Sequence, residues 1–299
     1  MLQKWRYLRS AAEAPDMNMA IDEALMMSVG AGEVGPTLRF YGWSPATLSI
    51  GYFQKAAEEV DLAEVKARGL GFVRRPTGGR AVLHDRELTY SIIIPESYPG
   101  LPESVVDSYR LLSEGMLRGL QALGLAASMV SLSSDQEKAK YAGAASGASS
   151  GSTASAEPAS SAASAACFDS PSWYELVIDG RKVAGSAQLR QHRALLQHGS
   201  ILLDLDVAQL FALLQFRTER QRERMQSAFA ERAAAINPLR ASRGLPPISI
   251  GEAEEAFARG WATSLGVELS CGELTAAERV TAEELARDKY RSDSWNFRR

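Results

Sequence analysis

Arg74-Arg75-Pro76-Thr77-Gly78-Gly79-Arg80-Ala81-Val82-Leu83-His84 lies between two strand-like runs, Gly71 to Val73 before it and Leu88 to Pro95 after it. Glycines admit positive φ and close approach of a ligand, because no Cβ stands in the way. Arginines beside such a turn present paired N–H donors to a carboxylate or phosphate. Two readings follow: a tight hairpin with a charged rim, or a loop that cradles an anionic or polar ligand. Residues about ninety positions downstream bear on the choice.

Working outward, the upstream half alternates helix and strand signals. Met17 to Val29 places Met19, Leu25 and Met26 near one helical face, with Asp22 and Glu23 elsewhere; Asp16 is the expected N-cap. That Met-rich face reads as core, and as a soft apolar lining only secondarily. Thr37 to Trp43 and Ala46 to Phe53 alternate as strands, and Ser44-Pro45 between them suggests a hairpin. Val60 to Arg68 reads as a short helix. Leu88 to Pro95 is a strand, and Ser104 to Leu123 a long amphipathic helix stopped by Gly124.

Downstream, Ala142 to Ala166 has 22 Ala, Ser or Gly among 25 residues. Such a segment buries too little apolar surface to offset its ordering entropy, so 131–166 reads as a mobile surface loop. Trp173 to Ile178, Asp179-Gly180 and Arg181 to Leu189 form a hairpin pattern, followed by a strand over Ala194 to Leu203. The remainder reads as helical: Ala208 to Gln215, an arginine-dense Glu219 to Phe229, Gly251 to Leu265, and Ala276 to Tyr290. The expected class is α+β, with mixed, largely antiparallel sheets flanked by helices. A single domain over 1–299 is expected, with a core of about 33–248 and a helical part from about 249.

Composition narrows the function. Hydrophobic residues make up 45% and charged residues 23% of the 299, and the net charge is −3. That balance argues against a protein that coats nucleic acid or an anionic membrane. No apolar signal core opens the chain and no run of eighteen apolar residues occurs, so a cytoplasmic protein with two free thiols, Cys167 and Cys271, is expected. With three histidines and no CxxC or HExxH spacing, no metal is expected.

A lone cysteine is usually a small buried apolar residue, but Cys167 stands between the polar loop and a turn, without apolar periodicity around it, which weakens that reading and leaves a reactive thiol open. Lys182 is the candidate cation. By hairpin register it faces Val177, and a lysine at that position is ordinarily a solvated surface charge. Gly185-Ser186-Ala187 and His198-Gly199-Ser200 place small residues inside strands, marking either β-bulges or close approach of a ligand. With Thr77-Gly78-Gly79-Arg80, they favour a groove for a thin, extended ligand.

Arg74-Arg75-x-x-Gly78-Gly79-x-x-Val82-x-His84, Lys182-Val183-x-Gly185-Ser186-Ala187 and His198-Gly199-Ser200 resemble the biotin/lipoate protein ligase and octanoyltransferase superfamily, from about Trp5 to the C-terminus. Phe72 to Tyr90 and Cys167 to Gln188 are similar to the octanoyltransferases of the LipM type. The resemblance implies a biotin/lipoate protein ligase-like catalytic domain that needs no cofactor. It implies octanoyl-acyl carrier protein as donor, a Cys167 thioester, Lys182 as the group lowering the thiol pKa, and a lysine of the glycine cleavage H protein or other lipoyl domains as acceptor. Arg75, Thr77, Gly78, Gly79, Arg80, His84, Gly185, Ser186, Ala187, His198 and Gly199 are then expected around the substrate, with Arg75, Arg80 and His84 shaping the site or meeting the carrier. ATP-using relatives carry a third glycine where this chain has Arg80, which fits a transferase better than an adenylating ligase. A ligase, or a non-catalytic acyl-binding protein on the same fold, are the alternatives.

Overall fold

Period-two alternation in Leu88 to Ile94 builds the centre of the molecule. In this computed structural model, which describes residues 2–131 and 174–298, that segment lies in a strand buried on both faces. Leu88, Tyr90, Ile92 and Ile94 face one way into a large apolar cluster. Thr89, Ser91 and Ile93 face the other way.

The strands are β1 (Gln3–Glu13), β2 (Thr37–Trp43), β3 (Thr47–Ile50), β4 (Gly71–Arg74), β5 (Val82–His84), β6 (Glu87–Pro95), β7 (Ser128–Ser131), β8 (Tyr174–Ile178), β9 (Arg181–Lys182), β10 (Ala184–Gln191), β11 (Ala194–Leu202) and β12 (Val267–Gly272). Five helices matter below: α1 (Pro15–Ala31), α2 (Val105–Ala122), α3 (Glu219–Arg232), α4 (Ile250–Leu265) and α5 (Ala276–Leu285). The large sheet runs β10-β11-β6-β2-β1-β12, with smaller sheets β4-β3-β5 and β7-β8-β9. Antiparallel pairs dominate; β1 pairs in parallel with β2 and β12, and β3 with β4. The class is mixed α and β, as read from the sequence.

Helices α2 and α4 cover the face carrying Phe40, Tyr90 and Ile92, while α1 packs against the face carrying Ile93 and Leu196. The α2–α4 crossing depends on glycine. A Cβ on Gly260 would stand 2.3 Å from the Gly115 carbonyl oxygen, and one on Gly119 would stand 2.3 Å from the Phe257 ring.

Several local expectations change. Residues 37–43 and 46–53 do not form a hairpin: β2 pairs with β1 and β6, whereas β3 pairs with β4 and β5. A cis Ser44-Pro45 bond joins them. The Gly78-Gly79 stretch is likewise no hairpin, because β3 lies between β4 and β5 and the loop crosses over it. A Cβ on Gly51 would come within 2.0 Å of the Gly79 carbonyl oxygen, so the loop rests on backbone. Ala14, not Asp16, is the N-cap of α1; Pro15 starts the helix and Asp16 stands in its first turn. The C-terminal part is not wholly helical, since β12 joins the large sheet beside β1, itself unread in the sequence. Gly185-Ser186-Ala187 is no bulge: β10 and β11 pair without a register shift from Ala184↔Ile201 to Gln191↔Ala194. The Asp179-Gly180 turn holds as expected, with φ of 51° and 73°, and Lys182 pairs with Val177. The 132–173 segment, including Cys167, lies outside the described residues. Among the described residues no helix is long and apolar enough to cross a membrane.

Gly260→Ala should lower the unfolding free energy by roughly 1–3 kcal/mol, because the α2 backbone must move away. Urea unfolding of the purified protein checks this.

Candidate active site

Alternation also sets the polar face of the large sheet. Arg39 and Tyr41 on β2, Thr89 and Ser91 on β6, and His198 and Ser200 on β11 share the face covered by α1. From α1, fully buried Asp22 reaches into this set. Its Oδ1 accepts from Arg39 Nη1 at 2.7 Å and from Ser91 at 2.9 Å; its Oδ2 accepts from Tyr41 at 3.1 Å and from His198 Nδ1 at 3.1 Å. Arg39, also fully buried, spends its remaining donors on Asn18 and Ser10. Asp22 and Glu23, expected off the buried face, are both buried, because α1 is covered almost all round.

These contacts set the protonation states. Burial pushes the Asp22 carboxyl up, but the hydrogen bond from His198 and the Arg39 charge outweigh it and hold Asp22 below its ordinary value. Burial pushes His198 below its ordinary value, against the pull of Asp22. A neutral His198 donates from Nδ1 to Asp22, so its Nε2 accepts from the Thr77 hydroxyl at 2.7 Å. That bond fastens the Gly-Gly loop to β11. Burial first, then the Asp22 charge, raises the Tyr41 phenol well above its ordinary value and keeps it a donor.

A second cluster lies beside the first. Glu87 accepts from His84 Nδ1 at 2.5 Å and from the Thr89 and Ser200 hydroxyls. Ser49 bridges His84 Nε2 (2.6 Å) and Arg75 Nη1 (2.6 Å), and Trp43 stacks on His84 at 4.2 Å between ring centroids.

Between the clusters opens a narrow cleft of about 40 Å³. Of the residues singled out in the sequence, Arg75, Gly79, His84, Gly185, Ser186, Ala187, His198 and Gly199 line it. Thr77 stands behind it on His198. Gly78 is outside the lining, and Arg80 points away, 3.8 Å from Glu59. Arg75 does not face outward to a partner: it is 5% exposed and donates to Ser49 and to the carbonyls of Gly78 and Arg80. The cleft runs across β10, β11, β6 and β2, from the small residues of the sheet edge towards Tyr41 and Trp43.

Lys182 is not a solvated surface charge. It is 5% exposed, and its Nζ donates to Glu175 Oε1 at 3.0 Å. Its backbone oxygen accepts from Ala234 N–H at 2.9 Å, and Gly185 of the cleft follows three residues later. Cys271 is exposed on β12 in the outermost position of the large sheet.

Sequence reading missed Asp22, Arg39, Tyr41, Trp43, Ser49, Glu87 and Glu175. One signal was available: Arg39 stands between Leu38 and Phe40, an arginine in a strand with apolar neighbours on both sides. Among the described residues no group of three metal-ligating side chains occurs.

The lipoyl protein ligase A/B catalytic domain model matches residues 14–262. A bipartite lipoate protein ligase from Thermoplasma acidophilum is similar over 99% of this chain and 96% of that one, with a TM-score of 0.75 and 25% identity. A lipoate-protein ligase A bound with ATP gives 0.71 and 26%, covering 99% of both chains. Octanoyltransferase LipM of Brevibacillus brevis is 54% identical over the full length of both chains, and that of Bacillus subtilis 46% identical over 99% of both. The chain belongs to the lipoyl protein ligase A/B catalytic family, on its LipM octanoyltransferase branch, and is an acyltransferase.

The His198 shift has a direction that can be checked. A group whose folded pKa is depressed contributes stability that is complete above its unfolded value and lost as pH falls through the folded value. Stability should therefore decline as pH drops below about 6.5, the ordinary imidazole value. His198→Gln, which takes up no proton there, should remove that part of the slope in urea midpoints measured from pH 8 to pH 5.

Proposed function

We propose that the protein moves an octanoyl group from octanoyl-acyl carrier protein onto Cys167 as a thioester, then onto a lysine of a lipoyl-domain acceptor, the glycine cleavage H protein among them. The observation that carries this reading is the buried Lys182 ammonium, held by Glu175 just upstream of a cleft floored by small residues. A buried cation is costly unless it is paired, as Lys182 is with Glu175.

In the first step the Cys167 thiolate attacks the thioester carbonyl. A carbon–sulfur bond forms, and the carrier's thiolate leaves with the electron pair of the bond it loses. One thioester replaces another, so no nucleotide is required. Lys182 favours the thiolate and, with backbone N–H groups, steadies the oxyanion of the tetrahedral intermediate. In the second step the neutral amine of the acceptor lysine attacks the Cys167 acyl carbon. The carbon–nitrogen bond forms, Cys167 leaves as thiolate, and the nitrogen gives up a proton. The amide is more stable than the thioester, which draws the sequence forward.

The octanoyl tail occupies the cleft, with its carbonyl end at the open β10 edge and its methyl end towards Trp43 and Met19. Each methylene removed from water there contributes about 0.8 kcal/mol. The roles assigned to Gly185 and Ala187 follow from size, since a larger side chain would fill the path of the tail; Gly199 instead lets β11 lie close to β10, because a Cβ there would stand 2.3 Å from the Gly185 carbonyl oxygen. Arg75, Thr77 and His84 act by holding the Gly-Gly loop and the cleft wall.

Incubation with octanoyl-acyl carrier protein should add the mass of one octanoyl group at Cys167, read by intact-mass and peptide mass spectrometry. Cys167→Ser should lose both adduct and transfer; full transfer by that variant would exclude the covalent route. A requirement for ATP with free octanoate would point to a ligase. Lys182→Met should slow acylation at least tenfold at pH 7, with the gap narrowing by pH 9 as the thiol ionises unaided. A rate gap that is flat from pH 6 to pH 9 would remove Lys182 from that role.

A further inference from the structure

The chemistry above makes no use of the turn Gly51-Tyr52-Phe53-Gln54 that follows β3. Among the described residues only two aromatic side chains are exposed, Phe53 at 65% and Phe297 at 43%. Apolar residues scattered singly over a surface are ordinary. These two belong to one band built from three distant segments. Phe53 meets Tyr52 edge to face at 4.9 Å between ring centroids, and Tyr52 meets Trp295 at 5.8 Å. Phe297, two residues on, stacks on Phe72 at 5.6 Å. Arg298 lies over the Tyr52 ring at 4.1 Å and donates to its hydroxyl at 2.7 Å, which sets a positive charge in the band.

The most exposed of these rings stands on a fixed support. Gln54 N–H closes the turn on the Gly51 carbonyl at 3.1 Å, and Tyr52 N–H donates to the Thr77 carbonyl at 2.8 Å. Fully buried Arg74 donates from Nη1 to the carbonyls of Gly51, Tyr52 and Gln54. The Gln54 side chain is bound as well: its Oε1 accepts from Gly51 N–H at 3.0 Å, and its Nε2 donates to Glu59 at 2.8 Å. A ring held out on a bonded turn has little freedom left to lose when a partner covers it, and aromatic rings presented this way are the usual anchors of interfaces.

Position says which partner. Gly79 lines the cleft and is itself exposed, so the cleft wall meets solvent there. Gly51 packs against it, since a Cβ on Gly51 would stand 2.0 Å from the Gly79 carbonyl oxygen. Phe53 comes two residues later, so its backbone is no more than about 7 Å from that of Gly51. A domain that covers Phe53 is thereby set against the rim of the cleft. A target lysine extends from its own domain only by a four-carbon stem, so the domain bearing it has to sit on this bordering surface.

We propose that the aromatic band centred on Phe53, with Tyr52 and Phe297, docks the acyl acceptor: a folded domain that presents apolar side chains, and a carboxylate for Arg298, beside its target lysine. This rests on the transfer to a lipoyl-domain lysine described above. The rings supply the contact, and the charge at Arg298 fixes its orientation.

The test compares Phe53→Ser and Phe53→Tyr with the wild type in the full-length protein. Each protein is acylated on Cys167 with octanoyl-acyl carrier protein, and that rate is recorded. The octanoyl-enzyme is then mixed with unmodified glycine cleavage H protein, or with hydroxylamine, a small amine that needs no docking. Phe53→Ser should lower kcat/KM for the acceptor protein about tenfold or more, through KM, as truncation of an interface anchor does. Phe53→Tyr, which keeps the ring, should stay within about twofold of the wild type. Acylation by the carrier and loss of octanoyl to hydroxylamine should run at wild-type rates in both. An unchanged KM for the acceptor protein in Phe53→Ser would overturn the proposal. So would an equal loss with hydroxylamine, which marks a structural role, or a loss confined to acylation by the carrier, which assigns the band to the donor. If the wild type forms no adduct, or passes none to the acceptor protein, the transfer reading fails, and the docking with it.

Discussion

The Asp22 carboxylate is the point on which the molecule turns. It is fully buried and accepts four hydrogen bonds, from Arg39, Tyr41, Ser91 and His198. Those donors come from three adjacent strands, so a single carboxylate sets how α1 lies across β2, β6 and β11. Burying the Asp22–Arg39 pair costs desolvation that Coulomb attraction alone seldom returns. The return here is the dense hydrogen bonding: Arg39 also bonds Asn18 and Ser10. What the arrangement secures is a defined orientation of His198, and through it of the Gly-Gly loop.

The cleft is a consequence of that orientation combined with side-chain size. On the same sheet face, β10 and β11 contribute glycine, alanine and serine, while β2 contributes Tyr41 and Trp43. Both aromatics are pinned, Tyr41 to Asp22 and Trp43 to Thr89. Thr77 holds the loop on one side. On the other, Arg74 donates to the carbonyls of Gly51, Tyr52, Gln54, Trp295 and Asn296, which ties the base of the loop to the C-terminal segment. A motif that reads locally as a turn is held in place by residues more than two hundred positions away.

Legibility in the sequence followed the range of the forces involved. Helices with an amphipathic period and a capping residue, such as Val105–Ala122 behind Ser104, were readable because both signals are local. The Asp179-Gly180 turn was readable because positive φ is a property of two residues. Pairing partners were not. Nothing local to Thr37–Trp43 or Thr47–Ile50 says that they join different sheets, and a short polar link between two strand patterns favours a hairpin by proximity. The strand Val267–Gly272 was lost for a related reason, since its only neighbour in the large sheet is β1, more than 250 residues upstream.

The sequence by itself determined the mixed α and β class, eight of the residues that line the cleft and, through the resemblance of its motifs, the acyltransferase family. Those properties rest on residue types and spacings that survive without coordinates. Only the tertiary structure decided the electrical character of the site. Lys182, Arg75, Asp22 and Arg39 are all charged residues that local pattern assigns to solvent, and all are buried here. A charge enters the interior only where partners from other segments meet it, and that meeting is a property of the fold, not of any one stretch of chain.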